Sequence, residues 1–501
     1  MKKILSIAII LSVCLNMNAQ FLFDALRFSN NSIIDGSARY MGMAGAFGAL
    51  GGDVSASIDN PAALGIFRSS EVGVSLGFSP TITNSNWQGD KYSDNITCFD
   101  FNHVSWVFNI PSYRESGYLS TSLGFSYHKI KDFNRKVYLQ SNSNSVVSLT
   151  DLMAGYLNRN NGDMIFKDDL LNENAYDDTR LDWLSVLGFD AGLIKTDDAG
   201  TSGQWYSMLG NENVLPAYEA LERGNVSDYN FTYSGNISDR VYFGAGFSMQ
   251  SISYEMQSIY NEDYPEHGDN FNLKNHFMTK GYGINVKFGA IVRATNFMRF
   301  GLSVQTPTSY SFKEWHSADL KYSQNTYSVS TPEAGYWYNL TAPVKAQASV
   351  GFIIGKRAAI DVDYQFSGKK YVESDDYGKF NVDNDKEAKY MHSVKLGAEI
   401  RLGENFKIRA GGAFITEPIK QNAVKFFPYP TTRTDYECFV PENTYYGTFG
   451  VGYAKNRFAI DLAYAYQQQN QTFYAAENFD NFGATLKTHT HNIIATVAFR
   501  Y

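Results

Sequence analysis

The chain has 501 residues, with 51 acidic side chains against 43 basic ones, a formal net charge of -8, and 15% aromatic residues. An acidic balance argues against nucleic acid as a partner, because phosphate backbones are gripped by basic surfaces. Past the amino terminus no apolar stretch approaches the roughly eighteen residues of a spanning helix, which excludes inner-membrane helices.

Met1, Lys2 and Lys3 precede an apolar run from Ile4 to Leu15, and Met17, Asn18 and Ala19 put a small residue before Gln20. This reads as a signal peptide over residues 1–19, cut after Ala19. Loss of Lys2 and Lys3 takes the net charge to about -10. Cys14 offers a lipoprotein anchor as the alternative, but Val13 is bulky where a small residue is wanted.

Residues 20–69 show no strand alternation, and Met41 to Leu50 is a run of small and apolar residues suited to enclosed, tight packing. Gly42, Gly45, Gly48, Gly51 and Gly52 invite a nucleotide-binding reading. That reading needs a strand–helix context or a closing Gly-Lys-Ser, and neither is present. Asn60 and Pro61 suit a rigid corner, since proline fixes its backbone angle and asparagine bonds nearby backbone.

From about Ser70 to Tyr501 apolar and polar residues alternate in segments bounded by turn residues. Strands are predicted over 70–80, 99–110, 118–130, 227–237, 240–259, 275–294, 297–314, 337–354, 357–373, 386–402, 406–418, 443–454, 458–473 and 486–501. The last is the clearest: Ile493, Ala495, Val497, Phe499 and Tyr501 share one face, with Asn492, Thr496 and Arg500 on the other. Side chains on a strand alternate between faces, so each segment can show one face to lipid and the other to a lumen. Connections after even strands read as short and those after odd strands as long, the asymmetry of an outer-membrane barrel. The expected fold is an all-β membrane protein, a barrel of about fourteen antiparallel transmembrane strands. A secreted, soluble all-β protein would alternate similarly.

The connection over about 131–226 is too long for a structureless loop. Within it Leu181, Leu184 and Leu187 recur at helical spacing beside Trp183, and Leu152, Met153, Tyr156 and Leu157 form a second cluster. Cys98 and Cys438 fall in expected external loops or their borders; two separate thiols is the simpler reading and a disulfide the alternative. His103 faces the lumen, whereas His489 and His491 share the lipid-side face, and no metal-ligand spacing occurs. Asp361, Asp363, Asp461 and Glu399 face inward with Lys345, Lys395, Arg401, Lys407 and Arg409, which reads as an ion-pair network rather than catalytic acids. No Gly-x-Ser-x-Gly elbow appears.

The segment from Gly36 through Gly42, Gly45 and Phe47 to Asn60, Pro61, Ala62 and Gly65 resembles the opening of the FadL-type long-chain fatty acid and toluene transporters. Gly301 to Pro307, and Leu340 to Gly351 with Pro343, are similar as well. The resemblance implies that residues 20–69 form a hatch plugging a fourteen-stranded barrel over 70–501, with Gly42, Gly45, Asn60, Pro61 and Ala62 in the hatch motif.

The implied function is passive uptake of a hydrophobic small molecule, such as a long-chain fatty acid or aromatic hydrocarbon, across the bacterial outer membrane. Trp183, Leu184, Leu187, Trp205, Met208 and Leu209, with Phe426 and Phe427 in a later loop, are candidates for an external capture patch; a packed loop core explains them equally. Phe499 and Tyr501 would form the signal read by the barrel assembly machinery. The expected partners are outer-membrane lipid, that machinery and the substrate; no cofactor, no metal, no enzymatic activity and a monomer are expected. A haem-binding or adhesive surface barrel is the alternative, and an outer-membrane hydrolase a further one.

Overall fold

The computed structural model describes residues 22–29, 33–142, 148–158, 164–197, 203–209, 213–355, 357–375, 378–381, 388–420, 431–476 and 483–501. The expected signal peptide, Phe426 and Phe427 lie outside these. Fourteen antiparallel strands close into a barrel. They are β1 (Glu71–Trp87), β2 (Asp90–Pro111), β3 (Tyr118–Asp132), β4 (Leu215–Ile237), β5 (Val241–Tyr264), β6 (Asp269–Arg293), β7 (Met298–Gln305 continued by Thr308–Tyr322), β8 (Ala334–Ala342 continued by Lys345–Ile354), β9 (Ala358–Ser367), β10 (Met391–Leu402), β11 (Phe406–Ile415), β12 (Cys438–Lys455), β13 (Phe458–Tyr474) and β14 (Ala484–Arg500). The cylinder closes where β14 pairs with β1, placing Arg500 opposite Glu71 and Val497 opposite Val74. Tyr501 completes the join by donating its backbone N–H to the Ser70 carbonyl at 3.0 Å.

The alternation in sequence becomes an outside and an inside. On β14 Ile493 and Val497 are exposed while Ile494 and Thr496 are buried. Phe231, Phe247, Phe288, Leu302, Leu396 and Leu462 extend the exposed apolar face around the wall. A soluble surface rarely carries so large a continuous apolar band; in a bilayer it is satisfied by acyl chains. No helix among the described residues is long and apolar enough to cross a membrane.

One rim has tight turns, with Ser238, Asp239, Gly403 and Asn456 at positive φ. The opposite rim carries long segments, but the expected alternation is only partly met. β1 and β2 are joined by Gln88 and Gly89 alone, both at positive φ, and β5 and β6 by a short turn ending at Gly268. These strands run on far past the apolar band, so a tight turn closes them where a long loop is predicted. β4 likewise starts at Leu215 rather than near 227, which shortens the long connection. β7 and β8 are each interrupted at a proline, Pro307 and Pro343, because proline cannot donate to the ladder.

β4, β5 and β6 have 23, 24 and 25 residues, about twice what crossing a bilayer takes. Their outer halves and those of neighbouring strands wall a lid formed by the long connection. The lid contains α-helices at Leu149–Asn158, Lys167–Leu170 and Trp183–Asp190 and a small hairpin of Ile194–Thr196 with Trp205–Ser207. Its apolar side chains merge with Tyr260, Phe271, Leu320, Phe473 and Leu486 of the strands into one core.

Candidate functional site

Three parts occupy the barrel: an inner segment of residues 33–67, the lid, and a cavity bordered by Ile33 and Asp35 of the inner segment and by strand residues. The inner segment is held by charge and by backbone contact. Ser37 caps the helix Ala38–Gly42, its hydroxyl accepting from Tyr40 N–H and donating to Asp53 at 2.8 Å. Arg39 reaches Glu399 of β10 at 3.1 Å; Glu399 also takes Arg409 at 2.7 Å, and Arg409 takes Asp461 of β13 at 2.5 Å. Lys395 pairs with Asp59 at 2.8 Å. The expected lumen ion-pair network is therefore present in part. Arg401 stands outside it, exposed at the tight-turn rim with its guanidinium on the Glu404 carbonyl at 3.1 Å.

Asp361 and Asp363 do something the sequence reading missed. Asp363 accepts the N–H groups of Phe47 and Gly48, and Asp361 those of Ala49 and Leu50, all at 3.0–3.2 Å. Buried backbone donors need partners, and two strand carboxyls here serve four of them. Gly42 and Gly450 approach so closely that a Cβ on Gly42 would stand 3.2 Å from the Gly450 Cα. Gly45 has φ of 72°, a conformation that glycine adopts without steric cost. Asn60 accepts Ala62 N–H at 3.1 Å and donates to the Gly48 carbonyl at 2.8 Å, while Pro61 lies against Gly244 of β5. Asn60, Pro61 and Ala62 thus form a corner seated on the wall.

Above this segment lies a cavity of about 160 Å³. Leu26, Phe133, Met256, Phe277, Ile419 and Phe439 give it apolar surface; Arg27, Lys129, Lys131, Arg135, Glu222 and Glu437 give it charge. Arg27 and Arg135 both pair with Glu222, and Arg27 also lies over the Tyr254 ring at 4.5 Å. Lys131 has no carboxylate partner among the described residues and lies 5.7 Å from the Phe133 ring. Cys98 and Cys438, which no disulfide joins, line the cavity rather than external loops.

The cavity reaches the wall at a break in the sheet. The β2–β3 ladder runs from Pro111 opposite Ser120 to His103 opposite His128, and there it stops. Beyond it β2 stays paired with β1, whereas the chain after β3 moves inward. Its next strand, Arg135–Gln140, pairs with β4, and Ser85 of β1 donates to the Tyr138 carbonyl at 2.7 Å. In the gap Lys129 bridges Asp100 of β2 at 2.5 Å and Asp132 at 2.6 Å. Outside it Phe99 and Phe101 are 72% and 50% exposed. His103, at the lower edge, faces inward as expected and meets Ser55 at 3.2 Å.

The proposed capture residues fall mainly inside the lid. Trp183, Leu184, Leu187, Trp205 and Leu209 are buried in its core, and Met208 is exposed. Trp205 stacks edge-on to Phe189 at 5.7 Å and donates from Nε1 to the Ile165 carbonyl at 3.0 Å. Asp182 caps the helix Trp183–Asp190 and accepts from Leu184 N–H at 3.0 Å and the Tyr436 hydroxyl at 3.0 Å. Full burial nevertheless pushes its carboxyl up to about 7. His489 and His491 lie on the outer face, bonded to the hydroxyls of Tyr466 and Tyr464. Among the described residues no cluster of three metal-ligating side chains occurs.

No family profile and no curated protein matches the chain. Solved structures do. A FadL homologue from Pseudomonas aeruginosa superposes with a TM-score of 0.52 at 10% identity, covering 93% of this chain and 98% of its own. The toluene transporter TodX of Pseudomonas putida gives 0.51 at 10% identity, covering 94% and 99%. At that identity the likeness establishes architecture, and the architecture of this chain is the FadL-type barrel fold.

Proposed function

We propose that the protein is a passive outer-membrane channel for hydrophobic small molecules, with the amino-terminal segment of residues 20–69 as its hatch and a lateral exit between β2 and β3. The observation that supports this most is the cavity itself: bordered by Ile33 and Asp35 of the hatch and by Lys129 and Asp132 at the seam, it abuts the point where the wall ladder stops. An apolar ring or alkyl segment fits its volume, since an engineered cavity of about 150 Å³ binds benzene. Burial supplies binding at about 25 cal/mol per Å² without any coupling to energy. A molecule leaving sideways meets Phe99 and Phe101 and then lipid, so it need not cross water. The fold likeness to a toluene transporter supports the same substrate class. The inward carboxyls are committed to ion pairs and hatch N–H groups, which supports a non-enzymatic reading.

The test places Asp100→Cys and Lys129→Cys in a Cys98→Ser, Cys438→Ser background and ties the two thiols across the gap with a reducible bifunctional methanethiosulfonate, since a lysine-length span is too long for a direct disulfide. Crosslinking should stop uptake of a labelled long-chain fatty acid or toluene by cells, and reductant should restore it. Uptake that persists through the crosslinked seam would refute the lateral exit; normal uptake in a deletion strain would refute the channel.

A further inference from the structure

On the outer wall, above the apolar band, one cross-strand row reads Asn225, Ser253, Lys280, Lys313 and Trp337 across β4, β5, β6, β7 and β8. Lys280 and Lys313 are direct antiparallel neighbours. Like charges placed directly opposite one another destabilise a sheet, so their juxtaposition calls for a compensating anion. The protein does not supply one: neither lysine has a carboxylate partner among the described residues. Glu255, diagonal to Lys280, is occupied by His276 at 3.1 Å and Gln257 at 2.9 Å. Lys313 has aromatic company only, 4.6 Å from the Trp315 ring and 5.0 Å from that of Trp337. Trp337 is 59% exposed.

The height of the row decides what anion it meets. On β6 the outward residues pass from Phe288, Val286 and Ile284 through Tyr282, 60% exposed, to Lys280. Four residues at about 3.4 Å each, on a strand tilted by about 40°, put Lys280 roughly 10 Å above Ile284 along the membrane normal. Tyr282 falls between, at the level where aromatic residues gather at the interface. Headgroups begin just beyond the roughly 30 Å hydrocarbon core. This rim is the one bearing the lid, so the leaflet is the outer one.

We propose that Lys280 and Lys313, flanked by Trp315 and Trp337, bind the phosphate-bearing headgroup of an outer-leaflet lipid. The two ammonium groups supply paired donors to phosphate oxygens, and the tryptophan faces cover the apolar side of the sugar or glycerol. The site is on the outer wall, far from the cavity, and rests on the membrane placement of the barrel rather than on transport.

The experiment is native mass spectrometry of the full, detergent-solubilised protein with added diphosphoryl lipid A, and with the same lipid stripped of its phosphates. The wild type should retain the phosphorylated lipid and lose the stripped one. Lys280→Gln with Lys313→Gln should lower the bound fraction by about 5-fold, the scale of two exposed ion pairs, while heat-modifiable migration confirms an intact barrel. Equal retention by this variant, equal retention of the stripped lipid, or no adduct on the wild type would each overturn the site. Uptake assays do not bear on it, so its failure and that of the channel reading are separable.

Discussion

Gly48 donates its backbone N–H to the carboxyl of Asp363 at 3.1 Å, and the glycine has no room for anything larger. A Cβ there would run into Ser349 and Gln347 of β8 and come within 2.8 Å of Asp363 itself. One contact therefore fixes both the position of the inner segment and the residue type it tolerates. Asp363→Ala together with Asp361→Ala strands four buried N–H groups, each bond being worth about 0.5–3 kcal/mol. The expected outcome is a looser hatch: higher single-channel conductance in planar bilayers and faster protease cleavage within residues 33–67. Unchanged conductance would mean that the lumen is closed elsewhere.

The lid should loosen as pH rises. Asp182 is held protonated up to about 7 in the folded lid but titrates near 3.8 when exposed. Between those values the folded state binds a proton that the unfolded state does not, so stability falls as pH climbs from about 4 to about 7 and then levels. At 1.36 kcal/mol per unit the effect is on the order of 4 kcal/mol. Protection factors for hydrogen exchange at Trp183–Asp190, corrected for the intrinsic pH dependence of exchange, should fall across that window in the wild type. Asp182→Asn, which imitates the neutral carboxyl, should flatten the corrected profile; a variant with the same slope would assign the dependence to another group.

Trp205 anchors the small hairpin of the lid. Trp205→Ala removes a ring that is 2% exposed and should destabilise the lid by about 3–5 kcal/mol. The barrel, held by its own ladder, should keep heat-modifiable migration while an apolar dye gains binding at the opened mouth. Loss of the barrel along with the lid would show the two to be one folding unit.

Tyr501 bonds the Ser70 carbonyl at the closing seam and stacks on Phe499 with 6.4 Å between rings. Deleting Tyr501, or replacing both residues with alanine, should cut the heat-modifiable fraction in outer membranes several-fold. Normal insertion of the variant would remove these residues from any assembly signal.

The sequence alone determined the barrel. A period of two on strand after strand, with aromatic and branched residues on one face, has one stable solution in lipid: closure, where no edge remains unpaired. The same local logic made Asn60 and Pro61 a corner and gave the lid its helix around Leu184, whereas the helix around Leu152 was legible only as an apolar cluster. What local pattern could not decide is which inward group meets which. Asp361 and Asp363 read as partners for lysine and arginine, yet they face backbone N–H groups of the inner segment contributed from over three hundred residues away. Trp183 and Trp205 read equally as capture surface or core until the strand extensions closed around them. The ladder break above His103 and His128 has no sequence signature, because pairing is a relation between two strands and each strand, read singly, alternates correctly.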